Sequence, residues 1–140
     1  MLTKALVARK INVPAATAWS AVSALGRLHV WFPSIATCRV EREGVGARRF
    51  LTFHRGGDVE DHIVQIDHEN RRVVYDRVKS PFPVSSYIGT VEVFESFDSM
   101  AVVVWTVEFE STPEQSASVR AGLEAGIGDG LLGMKADLGG

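Results

Sequence analysis

Hydrophobic and polar residues alternate along most of the chain, which predicts strands with one buried and one exposed face. The first of these strands has Ala5, Val7, Arg9 and Ile11 on one face. Six more candidate strands follow between residues 35 and 110, separated by short turns. Long strands joined by short turns predict an antiparallel meander. The candidate strands are Lys4–Val13, Thr37–Glu43, Ala47–His54, Asp58–Asp67, Arg72–Val78, Ser86–Glu95 and Met100–Glu110.

Helical spacing of apolar residues occurs in three places. Two short helices are predicted over Ala15–Leu25 and Leu28–Phe32, with Pro14 in the first turn and Gly26 as the stop signal of the first one. A long helix is predicted over Pro113–Leu138. This order predicts an α+β fold, in which a seven-stranded curved antiparallel sheet wraps around a long C-terminal helix. We expect residues 1–140 to form one domain.

Composition and charge narrow the classes of function. The 140 residues are 46% hydrophobic and 23% charged, with a net charge of −2. This balance argues against a nucleic-acid-binding protein. No apolar run is long enough to span a membrane, and the N-terminus lacks the features of a signal peptide. Cys38 is the only cysteine, which excludes an internal disulfide. We therefore expect a cytoplasmic protein without membrane insertion.

Several short segments together form a recognisable pattern. In order, they are Trp31–Cys38, Gly44–Arg49, Asp61–Ile63, Pro81–Tyr87 and Val103–Trp105. This set resembles the SRPBCC superfamily of START-like, helix-grip proteins, and within it the bacterial polyketide cyclase/dehydrase branch, also called MxaD-like. The resemblance covers nearly the whole chain and implies a helix-grip fold with an apolar cavity between the sheet and the helix. Members of the superfamily bind lipids, polyketides, plant hormones or other hydrophobic molecules, and only some are enzymes.

The same segments are similar, more distantly, to the plant abscisic-acid receptors, but three functional positions differ. The receptor lysine that pairs with the ligand carboxylate falls on Phe32. The Ser-Gly-Leu-Pro-Ala gate loop falls on residues 54–58, which read His-Arg-Gly-Gly-Asp, and the His-Arg-Leu latch falls on Phe82, Pro83 and Val84. A receptor of that kind is therefore not expected, and Phe32 argues against a ligand carboxylate anchored at this position.

Strand periodicity and the resemblance together indicate which side chains face the cavity. The wall is predicted to be mostly aromatic and aliphatic, with a few polar groups, which is typical of a small-molecule site. The residues predicted to bind the ligand are Phe32, Arg49, Leu51, Phe53, Val59, Asp61, Ile63, Tyr75, Val84, Tyr87, Gly89, Trp105, Val107, Leu123, Gly126, Ile127 and Gly130.

The terminal helix contains glycines at regular intervals, at Gly122, Gly126 and Gly130. Each costs about 1 kcal/mol relative to alanine inside a helix, so the set imposes a substantial local penalty. Two interpretations remain open. The glycines leave volume for a ligand beside the helix, or they allow close packing of the helix against the sheet or merely mark a loose helix.

Asp61 is the strongest candidate for a functional residue, because a carboxylate on an apolar wall has to be paired or neutralised. Antiparallel pairing of the third and fourth strands is predicted to place it opposite Leu51 and diagonal to Arg49, so one interpretation is a structural ion pair with Arg49. The second is that Asp61 anchors a ligand, directly or through water. The third is proton transfer by Asp61 together with Tyr87 or Tyr75.

Two functions from different classes follow from these observations. We favour a protein that binds a small hydrophobic molecule, since no paired acid–base constellation is present. The alternative is a cofactor-independent polyketide cyclase or dehydratase that uses Asp61 and Tyr87 for proton transfer. Neither function requires a cofactor, and the four histidines lack the spacing of metal ligands, so we expect no cofactor and no metal site. The protein is expected to be a monomer or a homodimer.

Overall fold

The computed structural model describes all residues, 1–140, and its elements follow the predicted order. The α+β helix-grip prediction is confirmed, because a curled seven-stranded antiparallel sheet accompanies a long C-terminal helix and two short helices after the first strand. The elements are β1 (Leu2–Pro14), α1 (Ala15–Ser23), α2 (Leu28–Trp31), β2 (Ile35–Glu41), β3 (Arg48–Phe53), β4 (Asp58–Asp67), β5 (Arg72–Lys79), β6 (Ser86–Glu95), β7 (Met100–Glu110) and α3 (Pro113–Leu138).

The strands form one sheet in the order β1-β7-β6-β5-β4-β3-β2. Strands β2 to β7 follow one another as a meander, and β1 returns to pair with β7, so that β1 and β2 lie at the two edges. The predicted alternation along β1 is confirmed, since Ala5 and Ile11 are fully buried. On the outer side of β1, the Leu6 N–H donates a hydrogen bond to Glu124 Oε2 of α3 at 3.2 Å. The long helix therefore satisfies part of this exposed edge.

The end of α1 differs from the prediction. The helix ends at Ser23, and the left-handed turn is made by Leu25, with a φ of 69°, and not by Gly26. This conformation is unfavourable for leucine. It is held by a tertiary contact, because the carbonyl of Leu25 accepts a hydrogen bond from Arg49 Nη1 at 3.3 Å. Pro14 also lies at the end of β1 and immediately before the helix, not inside it.

The pairing of β3 with β4 also differs from the prediction. Arg49 lies directly opposite Asp61, whereas the sequence pattern predicts Leu51 at that position. The reason is the turn between the strands, in which the Phe53 N–H donates a hydrogen bond to the Gly57 carbonyl at 3.1 Å. This closure fixes the register and moves the charged pair from diagonal to directly opposed positions.

The glycines of α3 fall into two groups. One group leaves open space beside the helix, as one interpretation predicts, and the other allows close packing, but against Phe32 and α2 and not against the sheet. A Cβ atom at Gly122 or Gly126 would meet no atom within 4 Å. In contrast, an aromatic ring covers Gly130, and a Cβ atom at Gly133 would lie 2.8 Å from the Cα of Trp31 in α2. The helix therefore leaves open space at Gly122 and Gly126 and packs closely at Gly130 and Gly133, nearer its C-terminal end. None of the three helices combines the length and the apolar character that crossing a membrane requires.

Candidate functional site

A cavity of about 630 Å³ lies between the sheet and the middle of α3. Its walls come from α2, β3, β5, β6, β7 and α3, and its rim includes exposed residues of the β3–β4 turn. Small-molecule sites in proteins have volumes of about 300–1,000 Å³, so this cavity is large enough for a ligand. The predicted residues that line it are Phe32, Phe53, Tyr75, Tyr87, Trp105, Leu123, Gly126 and Ile127.

The other predicted residues do not line this cavity, although most of them are buried on the inner face of the sheet. A side chain on the inner face of the sheet does not always reach the cavity, because larger neighbouring side chains cover several of these positions. The ring of Tyr75 lies over Gly89, and the ring of Phe32 lies over Gly130. The residues outside the lining are Arg49, Leu51, Val59, Asp61, Ile63, Val84, Gly89, Val107 and Gly130.

Residues that the sequence analysis missed complete the lining. Arg77 is the most important of them. Strand periodicity could have identified it, since it shares one face of β5 with Tyr75. The turn residues at the rim gave no such signal, because strand periodicity does not extend through a turn. The further missed residues are Leu28, Pro33, Ser34, Ile35, His54, Arg55, Gly56, Pro81, Phe82 and Gly122.

Asp61 is fully buried, and each of its oxygens binds an arginine. Arg77 Nε donates to Asp61 Oδ1 at 2.7 Å, and Arg49 Nε donates to Oδ2 at 3.0 Å. The register explains this arrangement, because Asp61 on β4 lies opposite Arg49 on β3 and opposite Arg77 on β5. The Arg49–Asp61 ion pair that was one interpretation of the sequence is thus present, and a second arginine joins it.

Asp61, Arg49 and Arg77 form a buried ion cluster in which all three side chains are charged. Burial alone would raise the pKa of Asp61, but the charges of Arg77 and Arg49 and their hydrogen bonds lower it below its ordinary value. Burial acts against the charge of Arg77, but the charge of Asp61 and its hydrogen bond raise the pKa of this guanidinium above its ordinary value. Two guanidinium groups share one carboxylate, so the cluster carries one excess positive charge.

Two tyrosines lie beside Arg77 on the cavity wall. The Arg77 Cζ atom lies 4.6 Å from the ring centroid of Tyr87 and 5.4 Å from that of Tyr75, so both rings stabilise the cation. Arg77 Nη1 donates to the Tyr87 hydroxyl oxygen at 3.4 Å, and Trp105 Nε1 donates to that of Tyr75 at 3.0 Å. Burial raises the pKa of Tyr87, which keeps its hydroxyl protonated.

The histidines lie away from this site, except for His54 at its rim. His62 is directed away from the cluster and contacts Glu60 Oε2 through Nε2 at 2.6 Å. No group of three or more His, Cys, Asp or Glu side chains is arranged so that it could hold a metal ion.

Solved structures of other proteins share this fold. The protein XoxI from Bacillus cereus is 20% identical, with a TM-score of 0.87 over 97% of this chain and 95% of that one. A protein from Thermobifida fusca is 25% identical, with a TM-score of 0.84 over 97% and 93% of the two chains. The ginseng major latex-like protein 151 from Panax ginseng is 17% identical, with a TM-score of 0.81 over 98% and 97%.

Sequence comparisons identify the family. A search of curated proteins finds no match. The model of the family described as "Polyketide cyclase / dehydrase and lipid transport" matches residues 3–139, which is nearly the whole chain. This match and the structural neighbours confirm the resemblance to the SRPBCC superfamily. The chain therefore belongs to the polyketide cyclase/dehydrase and lipid-transport family.

Proposed function

We propose that this protein binds a small hydrophobic molecule in the cavity between its sheet and α3. The observation that carries the proposal is the cavity itself, about 630 Å³ with walls that are largely aromatic and aliphatic. Two glycines of α3, Gly122 and Gly126, line it where other residues would fill the space with side chains. Burial of apolar ligand surface against such walls supplies the driving force for binding. The description of the family, which names polyketides and lipids, supports the same class of ligand.

The alternative function, cyclisation or dehydration of a polyketide, has less support from the geometry. Its candidate acid or base, Asp61, is fully buried behind the wall, and both of its oxygens are occupied by arginines. The lowered pKa of Asp61 makes it a poor base, and the raised pKa of Tyr87 keeps this phenol protonated near neutral pH. A binding role requires no proton transfer from either group.

A pair of glycine substitutions tests whether binding takes place in this cavity. Gly126→Leu directs a side chain into the cavity, whereas Gly128→Leu adds the same side chain at a position that has open space but lies outside the lining. We expect Gly126→Leu to weaken binding of the apolar fluorescent probe N-phenyl-1-naphthylamine about tenfold or more, since overfilling a packed site costs about 1–3 kcal/mol. Gly128→Leu is expected to bind the probe as the wild type does.

Both variants replace a helix glycine that has no close neighbours, so neither is expected to unfold the protein. Fluorescence titration gives the dissociation constant, and circular dichroism checks the fold of each variant. Equal affinities of the wild type and Gly126→Leu, or no saturable binding by the wild type, would contradict the proposal.

A further inference from the structure

The buried polar groups on the cavity wall form a small cluster at its inner end, whereas the other polar lining residues, Ser34, His54 and Arg55, are exposed. Arg77, Tyr75 and Tyr87 all line the cavity, whereas the partners of Arg77 in the buried ion cluster, Asp61 and Arg49, lie behind it. Only 7% of the Arg77 side chain is exposed, so its charge lies in an environment of low polarity. A ligand that reaches the inner end of the cavity therefore meets these three side chains first.

The hydrogen-bonding capacity of this wall is biased towards donors. Arg77 makes three hydrogen bonds, two to Asp61 and one to Tyr87, which leaves part of its five-donor guanidinium unused. The hydroxyl oxygens of Tyr87 and Tyr75 each accept a hydrogen bond from a nitrogen donor, and the two hydroxyls also interact with each other, so one hydroxyl proton is left to donate to a ligand. The nearby acceptor, Asp61, is enclosed by its two arginines.

The net charge of the buried ion cluster also favours a ligand group that accepts hydrogen bonds and is negatively charged. Because two arginines share one aspartate, one positive charge at the end of an apolar cavity has no anionic partner. A buried charge without a counterion is costly, and the faces of the two tyrosines compensate it only in part. A monoanionic ligand group would neutralise the cluster, whereas a ligand amine would add a second excess charge. A carboxylate matches both the charge and the planar fork of donors that a guanidinium presents.

We propose that the cavity selects apolar molecules that carry one carboxylate, and that Arg77, assisted by the Tyr87 hydroxyl, binds this carboxylate. This inference rests on the proposed binding function and specifies the class of its ligand. The apolar part of the ligand would contact side chains such as Phe32, Leu123 and Ile127, while the carboxylate would lie at the inner end. The anchor is on β5, and not at Phe32, where the similar plant receptors have their lysine.

The test compares two probes that differ in one end group, decanoate and 1-decanol, at pH 8 and below the concentrations at which they aggregate. Each probe displaces N-phenyl-1-naphthylamine from the protein in a fluorescence titration. We expect the wild type to bind decanoate roughly ten- to hundredfold more tightly than decanol, which is the usual range for hydrogen bonds to a charged group. We expect Arg77→Met to lose this preference and still bind decanol.

The choice of variants keeps the result interpretable. Arg77→Met leaves Asp61 in a neutral one-to-one pair with Arg49, so the fold retains a paired carboxylate. Tyr87→Phe removes one donor and keeps the ring, and is expected to reduce the preference for decanoate several-fold. Arg72→Met is the matched control, because Arg72 lies on the same strand as Arg77 but outside the cavity lining, where it pairs with Glu92. It is expected to retain the preference.

Three other results of these titrations would overturn the carboxylate proposal, the binding proposal or both. Decanol binding as tightly as decanoate would overturn the carboxylate proposal and leave the binding function intact. The absence of binding by both probes to the wild type would overturn both proposals. Retention of the preference for decanoate in Arg77→Met would also overturn the proposed anchor, because it would assign recognition of the carboxylate to another group.

Discussion

The substitution Asp61→Asn is expected to lower the free energy of unfolding by about 3–5 kcal/mol, the usual cost of breaking a buried ion pair by removing one partner. A neutral amide is not equivalent to the native carboxylate, since it would leave Arg49 and Arg77 charged and buried without a counterion. The amide would also fail to accept all the hydrogen bonds that the two guanidinium groups now donate to Asp61. Urea denaturation followed by circular dichroism measures the change.

Asp58→Asn provides the matched control on the same strand. The Asp58 side chain is 65% exposed and lies 3.9 Å from Lys79 Nζ, so this surface ion pair contributes little. We expect its removal to change the free energy of unfolding by no more than about 0.5 kcal/mol. Equal losses of stability in Asp58→Asn and Asp61→Asn would contradict the account of the buried cluster.

The difference in the free energy of unfolding between wild type and Asp61→Asn is expected to depend on pH. The pKa of Asp61 is lower in the folded protein than its ordinary value of about 3.9, so ionisation of Asp61 stabilises the fold above that pH. This contribution is lost as the pH falls through the folded-state pKa. The difference in stability between wild type and Asp61→Asn should therefore be constant from about pH 8 to pH 5 and should narrow below about pH 4. A difference that changes between about pH 6 and pH 8 would show that another group is responsible.

The second large effect is expected for Gly133→Ala, which should destabilise the fold by about 1–3 kcal/mol although alanine favours helices. Its Cβ atom would lie 2.7 Å from the carbonyl carbon of Trp31 and would overlap the carbonyl oxygen. These are backbone atoms of α2, so no side-chain rotation can relieve the clash. Nearby, Trp31 Nε1 donates to Asp137 at 2.9 Å, which holds α2 and α3 together at this point.

Gly128→Ala is the control in the same helix. A Cβ atom at Gly128 meets no atom within 4 Å, so the substitution should stabilise the protein by about 0.5–1 kcal/mol through helix propensity alone. The two variants are therefore predicted to shift the thermal midpoint in opposite directions. A shift of the same sign and size in both would contradict the close approach of α2 to Gly133.

The strands could be predicted from the sequence because one face of each is buried, and burial imposes a period of two on the pattern. The register of β3 on β4 could not, since it depends on how the turn closes between Phe53 and Gly57. The same kind of limit applies to Leu25, whose left-handed conformation is supported by Arg49, a residue of another element. Local propensity favours glycine there and contains no information about that distant contact.

Part of the candidate site could be predicted from the same strand periodicity. Periodicity identifies the inner face of the sheet, and Tyr75, Tyr87 and Trp105 do line the cavity. It does not show which inward residues a larger neighbour covers, as the ring of Tyr75 covers Gly89. Periodicity also places Arg77 on the same face of β5 as Tyr75, but its pairing with Asp61 depends on the register of β5 on β4, which the sequence pattern does not give.

The central claim is that a small apolar molecule binds between the sheet and α3, and methyl NMR spectroscopy tests it most directly. N-phenyl-1-naphthylamine is added to the labelled wild type, and the aromatic rings of the bound probe shift the resonances of nearby methyl groups. The account predicts that the methyl groups of Leu123 and Ile127, which line the cavity, shift and saturate at one molecule per chain, while those of buried Ile11 do not. Shifts confined to exposed residues such as Leu132, or no shifts at saturating probe, would contradict it.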